Sequence, residues 1–326
     1  MCAVPLVWNH PRASCTALAP FPKFTDRKLL RGAVPLPRIS SRHPRPRTTH
    51  VTAAMTHLQI TYEPTGEWYD GELKRFVRID NQQRPPRGCI LFVGSSIFRE
   101  WRELFEFEDE FFPLPVVNRA FGGSTAYEQC LPEILNATVF PHAPRVLVYY
   151  CGSNDLNEGR SAQEICESFV TWSRAVRKNI AANEKTKIEI LFVSINRAPQ
   201  KMPVWGVLDE TNLMIKRFCE ATDGHTFIDV NPLLFEDAEG GLENNDDGLQ
   251  SKSDSPEYYK NRNPKFHLFR DDGLHFQPEA YSVWSPAVKT AVKAAWERAT
   301  AFEKNETVTA PQAVPEDDPY LPPGLR

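Results

Sequence analysis

Apolar residues along the chain gather in short runs, Cys89–Val93, Pro115–Asn118, Val146–Tyr150, Ile188–Ser194 and Phe227–Val230, set apart by longer stretches of helical period. Several of these runs are continuously apolar rather than alternating with polar residues. Strands covered on both faces require that, so the pattern predicts a parallel sheet between two layers of helices. The clearest helical stretch is Ser161–Asn183, where Ile165, Phe169, Trp172, Val176 and Ile180 return on one face. Ser161 and Glu164 match a capping box at its start. A last helix is expected over Pro278–Phe302, with Val288, Val292, Ala295 and Trp296 facing the sheet and Pro286 interrupting or splitting it. Residues 64–88, with Trp68, Phe76 and Ile79 among charges, predict a short helical approach beside the sheet, ended by Pro85-Pro86-Arg87-Gly88.

The pattern fails at three places, and these set the expected domain limits. Residues 1–54 are basic, hold eight prolines from Pro5 to Pro46 and show no hydrophobic period. A secretory signal needs a continuous apolar core, which is missing, and the prolines oppose the amphipathic helix of a mitochondrial presequence. A disordered plastid transit peptide is therefore expected, cleaved near Val51-Thr52-Ala53-Ala54; a cytoplasmic protein started at Met55 is the main alternative, a mitochondrial one the other. One domain of about 230–250 residues, spanning 60–302, fits the length better than two. Within it, 236–264 reads as an acidic loop insertion, and 303–326 as a disordered proline-rich tail.

Charge sharpens this division. Nine Lys and Arg precede His57 against the single acid Asp26, so the remaining chain carries 38 − 9 = 29 basic and 42 − 1 = 41 acidic residues. A body at −12 argues against nucleic acid or an anionic membrane surface as a partner. No apolar run approaches the roughly 18 residues of a membrane span, so no transmembrane segment is expected. The seven cysteines form no C-x-x-C pair and read as buried free thiols of a reducing compartment.

Candidate chemistry lies at the ends of the predicted strands. The first run stops at Gly94, Ser95 and Ser96 follow, and the helix-compatible Ile97-Phe98-Arg99-Glu100-Trp101 comes next. A strand breaking into a helix leaves backbone N–H groups unpaired beside a hydroxyl. Asn118–Thr125 follows the second strand, Tyr150–Asp155 the third, and Asp272-Gly273-Leu274-His275 precedes the last helix. In a doubly wound sheet of order 2-1-3-4-5 the loops after strands two and three flank the one after strand one, so they converge on Ser96. An ester needs a nucleophile, a base and waiting donors. Ser96 can attack, His275 can take its proton, and Asp272 can hold the other ring N–H. The Ser96 and Gly123 N–H groups and the Asn154 amide can meet the oxyanion.

Ser96, Gly123, Asn154 and His275, each in its own block and in this order, resemble the SGNH (GDSL-type) hydrolase superfamily over roughly residues 65–300. Gly94-Ser95-Ser96-Ile97 stands where that family has Gly-Asp-Ser-Leu, Gly152-Ser153-Asn154-Asp155 matches its Gly-x-Asn-Asp block, and Asp272-x-x-His275 its Asp-x-x-His block. Ser95 in place of the first-block acid and Ala120 in place of a glycine are departures. The resemblance implies a flavodoxin-like three-layer α/β/α sandwich with a five-stranded parallel sheet. It also implies hydrolysis of carboxylic esters without cofactor or metal. The substrate expected is a small acyl ester, an acetylated sugar or a lysolipid; an acyltransferase with the same site and a non-catalytic binding protein are the alternatives. Gly122–Ala126 nearly matches a nucleophile elbow around Ser124, but lacks its last glycine. Asp271 is the alternative to Asp272, and Asp155 is expected to hold the oxyanion loop. His142, His225 and His267 read as surface or loop residues. Arg119 and Arg197 read as substrate contacts or structural pairs.

Overall fold

A computed structural model of the chain describes residues 59–84, 87–184, 187–236, 256–259 and 262–305. Strands β1 (Ile90–Gly94), β2 (Val116–Asn118), β3 (Val146–Tyr150), β4 (Glu189–Val193) and β5 (His225–Ile228) form one sheet of order β2-β1-β3-β4-β5. All of its pairings are parallel. Helices α1 (Asp70–Gln82), α2 (Ser96–Leu104), α3 (Phe107–Phe111), α4 (Pro132–Thr138), α5 (Ser153–Asn157), α6 (Ala162–Glu184), α7 (Trp205–Ala221), α8 (Pro256–Tyr259) and α9 (Pro278–Asn305) occupy the connections. Every residue of β1, β3 and β4 is buried, as their largely apolar runs demand, and the one charge among them, Glu189 of β4, is paired with Arg298 at 2.8 Å.

The pleat divides neighbouring side chains between two cores. Ile90, Phe92, Val146 and Val148 pack with residues of α2, α3 and α9, while Leu91, Val93, Leu147 and Tyr149 pack with α4, α6 and α7. These are the layers of an α/β/α sandwich. α1 lies on α4 instead of on the sheet: its Leu73 and Phe76 meet Ile134, Ala137 and Phe121. An aromatic cluster fixes the helix that follows β1. The Phe92 ring lies 5.3 Å from Phe98 and 5.0 Å from Phe107, and Trp101 lies 5.2 Å from Trp284 of α9. The Tyr281 hydroxyl donates to the Ile97 carbonyl at 2.8 Å. Each ring buried this way is worth about 1.5–3 kcal/mol, so the start of α2 is held in place both by its neighbours in sequence and by α9.

Several expectations shift. β5 begins two residues before the predicted Phe227, because the ladder partner of Ile190 is His225. α9 runs unbroken through Pro286 to Asn305, past the expected limit at 302. Pro286 and Ser282, whose carbonyl the ring leaves without its helical donor, are both exposed, so the helix buries no unsatisfied carbonyl there. The capping box at α6 is present, with Ser161 N–H donating to Glu164 Oε2 at 2.8 Å and Glu164 N–H to Ser161 Oγ at 3.3 Å. The leader of 1–54, most of the insertion at 236–264 and the tail beyond 305 lie outside the described residues. The described ends of the insertion are ordered: Phe235 bridges Pro264, and α8 lies between them.

The polar outliers are internal. Arg119 pairs with buried Asp80, and Arg197 pairs with Asp209 at 3.1 Å beneath the Tyr259 ring, so both arginines serve the scaffold. His142 is buried, and His225 opens β5 with Nε2 2.7 Å from Ser173 Oγ. Burial above all, aided by Arg119 at His142 and Arg177 at His225, pushes both imidazoles down to about 3. Below about pH 6.5 the unfolded chain binds protons that these native imidazoles refuse. The stability they confer is therefore complete above pH 6.5 and is lost as pH falls towards 3, with a slope of about 1.4 kcal/mol per pH unit for each. In urea unfolding at pH 7, 6 and 5, the stability advantage of the parent over His225→Gln is expected to shrink as pH falls, because Asp209, raised to about 6 by burial, adds an opposite slope to both proteins. A difference that does not change with pH would refute it.

Candidate active site

Ser96 is the first residue of α2, preceded by the extended Ser95, so its N–H has no acceptor inside the helix. The strand register places it. Gly94 pairs with Tyr150 of β3, and Ser95 N–H donates to the Tyr150 carbonyl at 3.0 Å. The Gly94 carbonyl in turn accepts from Phe121 N–H at 3.0 Å and Ser124 Oγ at 3.1 Å, which draws the loop after β2 towards the serine turn. Gly123 sits in that loop at φ +84°, with the Trp68 ring 3.2 Å from where a Cβ would stand, so glycine alone fits there without strain.

The loop after β3 completes this side. Asn154, near the start of α5, donates one amide proton to the Ser124 carbonyl at 2.9 Å, leaving the other proton for a second acceptor. Asp155 is buried, and its two carboxylate oxygens accept from Ala126 N–H at 3.0 and 2.9 Å, so it ties the β2 and β3 loops together. Ser124 itself is buried and bonded to Gly94 and Gln129, which removes it as a nucleophile. Lys201, also buried, donates to the Ser153 carbonyl at 2.9 Å and to Asn157 Oδ1, bracing α5 from below. Burial pushes this lysine down to about 8.

Across the serine lies the loop before α9. Asp272 Oδ1 accepts from the N–H groups of Leu274 and His275, both at 2.9 Å, while Oδ2 receives His275 Nδ1 at 2.6 Å. Desolvation would raise the Asp272 carboxyl, but these three donors outweigh it and hold it at about 2. His275 Nε2 then lies 3.1 Å from Ser96 Oγ. The structure thus brings together Ser96, His275 and Asp272, and sets the loops of Gly123 and Asn154 around the same turn. Among the described residues no group of three His, Cys, Asp or Glu is placed to hold a metal ion, and no helix is long and apolar enough to cross a membrane.

One residue escaped the sequence reading. Glu100 is buried one helical turn after Ser96, with Oε1 3.8 Å from His275 Nε2. Arg99 and Arg270 each reach its carboxylate at 3.0 Å. The signal was the i, i+4 spacing, which puts residues 96 and 100 on one face of a helix.

A family model described as GDSL-like Lipase/Acylhydrolase family matches residues 98–283, a stretch that holds Gly123, Asn154, Asp272 and His275 and begins just after Ser96. No curated protein matches the sequence. Among solved structures, a platelet activating factor candidate from Streptococcus pneumonia is 18% identical, covering 68% of this chain and 92% of its own, with a TM-score of 0.48. A carbohydrate esterase family 3 protein from Talaromyces cellulolyticus is 16% identical, covering 64% and 98%, with a TM-score of 0.42. A lipolytic protein of the G-D-S-L family from Veillonella parvula is 15% identical, covering 62% and 95%, with a TM-score of 0.40. Since the matched model spans more than half of the 326 residues, the chain belongs to the GDSL-like lipase/acylhydrolase family.

Proposed function

We propose that the protein is a serine esterase that cleaves carboxylic esters through an acyl-enzyme. The observation that carries this reading is the line of contacts from Asp272 to His275 to Ser96, at 2.6 and 3.1 Å. Family membership supports ester hydrolysis or acyl transfer in general. In the proposed cycle, Nε2 of His275 takes the Ser96 proton as Oγ attacks the carbonyl carbon. Asp272 keeps the ring in the tautomer with Nδ1 protonated and stabilises the imidazolium that forms. The Ser96 and Gly123 N–H groups and the free Asn154 proton meet the developing oxyanion. The imidazolium then protonates the leaving alcohol, and water, activated by the same base, releases the acyl group from Ser96. Acyl transfer would differ only in an alcohol replacing that water. A small acyl ester, an acetylated sugar or a lysolipid is the proposed substrate range, and a plastid the proposed location.

A fluorophosphonate probe tests the site without choosing a substrate. It is expected to form its bond on Ser96 Oγ, found by peptide mass, and to react at least about a hundredfold more slowly with His275→Ala. A folded protein that stays unlabelled would overturn the enzymatic reading and favour a binding role.

A further inference from the structure

The triad leaves a buried acid unused. Glu100 lies on α2 four residues after Ser96, one turn below the nucleophile and on the same face of the helix. Its side chain is only 7% exposed, and its Oε1 stands 3.8 Å from His275 Nε2. Asp272, on the opposite edge of the ring, is 49% exposed. The imidazole thus sits between two carboxylates of unequal screening. The nearer one is bonded to Nδ1 and open to solvent; the farther one faces Nε2 from the interior, where charge is felt over longer distances.

The 3.8 Å separation decides what Glu100 can do. It exceeds hydrogen-bond length, whereas Ser96 Oγ lies within it at 3.1 Å, so Nε2 stays directed at the serine. A proton arriving on Nε2 nonetheless meets a negative charge at once. A buried carboxylate needs partners, and Arg99 and Arg270 supply them, each at 3.0 Å. Arg270 is part of the histidine loop: its Nε donates to the Phe276 carbonyl at 3.0 Å, and its N–H to the His275 carbonyl at 2.8 Å. Glu100 therefore links the helix that carries the nucleophile to the loop that carries the base. Among the described residues, the ring is paired with Asp272 on Nδ1 and faced by Glu100 on Nε2, and Glu100 carries Arg99 and Arg270 as its partners.

We propose that Glu100 is a positioning residue for His275: its interior carboxylate draws positive charge onto Nε2 and, through Arg270, sets the distance between ring and serine. The proposal rests on the reading of Ser96 and His275 as nucleophile and base.

Two charge-neutralising variants and two readouts test it. In Glu100→Gln the shape is kept and the negative charge removed. The acid limb of kcat/KM is expected to move to lower pH by about half a unit or more, and kcat at neutral pH to fall about three- to tenfold. Arg270→Gln removes the positive charge 3.0 Å from the carboxylate and is expected to move the limb the other way, to higher pH. A role confined to packing would move neither limb, or both in one direction. The second readout is NMR titration of the His275 ring in the Ser96→Ala background, which reports on the imidazole whether or not the serine is the nucleophile. Opposite shifts for Glu100→Gln and Arg270→Gln there support the proposal. Superimposable titrations overturn it and leave the triad reading intact. If Glu100→Gln does not fold, Arg270→Gln carries the test alone, and an unmoved or lowered titration in it refutes the proposal.

Discussion

Ser96→Ala is expected to reduce turnover of a short p-nitrophenyl ester by about 10⁴–10⁶-fold while leaving the fold intact. Losing the nucleophile of a triad that acts as a unit costs nearly as much as losing the whole triad, and only binding and oxyanion contacts remain. Stability has little to lose. The Ser96 hydroxyl meets the His275 ring, and Ser96 lies at the first position of a helix, where alanine is a good former. The change in unfolding free energy is expected to stay below about 1 kcal/mol, measured by urea titration beside the assay. Ser124 cannot substitute, being buried with its hydroxyl on the Gly94 carbonyl. Retained turnover in a folded Ser96→Ala protein would place the chemistry elsewhere and end the serine-esterase reading.

Gly94→Ala is expected to be the most destabilising single methyl in the site. Gly94 has φ +128°, a backbone conformation that costs a residue with a side chain about 1–3 kcal/mol. Its added Cβ would stand 1.9 Å from the Tyr150 carbonyl oxygen, which is backbone and cannot rotate away. That carbonyl is already the acceptor for Ser95 N–H, and the Gly94 carbonyl anchors the loops of Phe121 and Ser124. Relief therefore requires β1 and β3 to part where the site begins. A loss above about 4 kcal/mol is expected, a large share of the 5–15 kcal/mol that holds a domain together, with Tm lower by about 10 °C or more. Activity should fall with it, because the strand ends set the spacing of serine and donors. A Gly94→Ala protein melting within about 2 °C of the parent would show that the strands yield easily, contrary to their full burial.

The serine turn was legible because a strand ending in Gly-Ser-Ser before a helix leaves few other local conformations. Strands β1 and β3 were legible as continuous apolar runs, and β4 as one broken only at Glu189, each too short for a buried helix. β5 was misplaced by two residues because it lies at the sheet edge with three of its four positions only half-buried, while fully buried Val230 falls outside it. The unbroken α9 was missed because Pro286 faces solvent, and facing is a tertiary fact. Arg119, Arg197 and His142 depend on partners such as Asp80 and Asp209 that local pattern does not reveal. Glu100 was hidden for a different reason. A charged residue on a helix reads as a solvated face until the loop that covers it is known.

The separation of 179 positions between Ser96 and His275 has a consequence for synthesis of the chain. During synthesis Ser96, the proposed nucleophile, emerges well before His275, the proposed base, and before α9. Any fragment that stops before His275 would keep the Ser96 hydroxyl but lack the imidazole that meets it, so in the proposed cycle it could not form the acyl-enzyme.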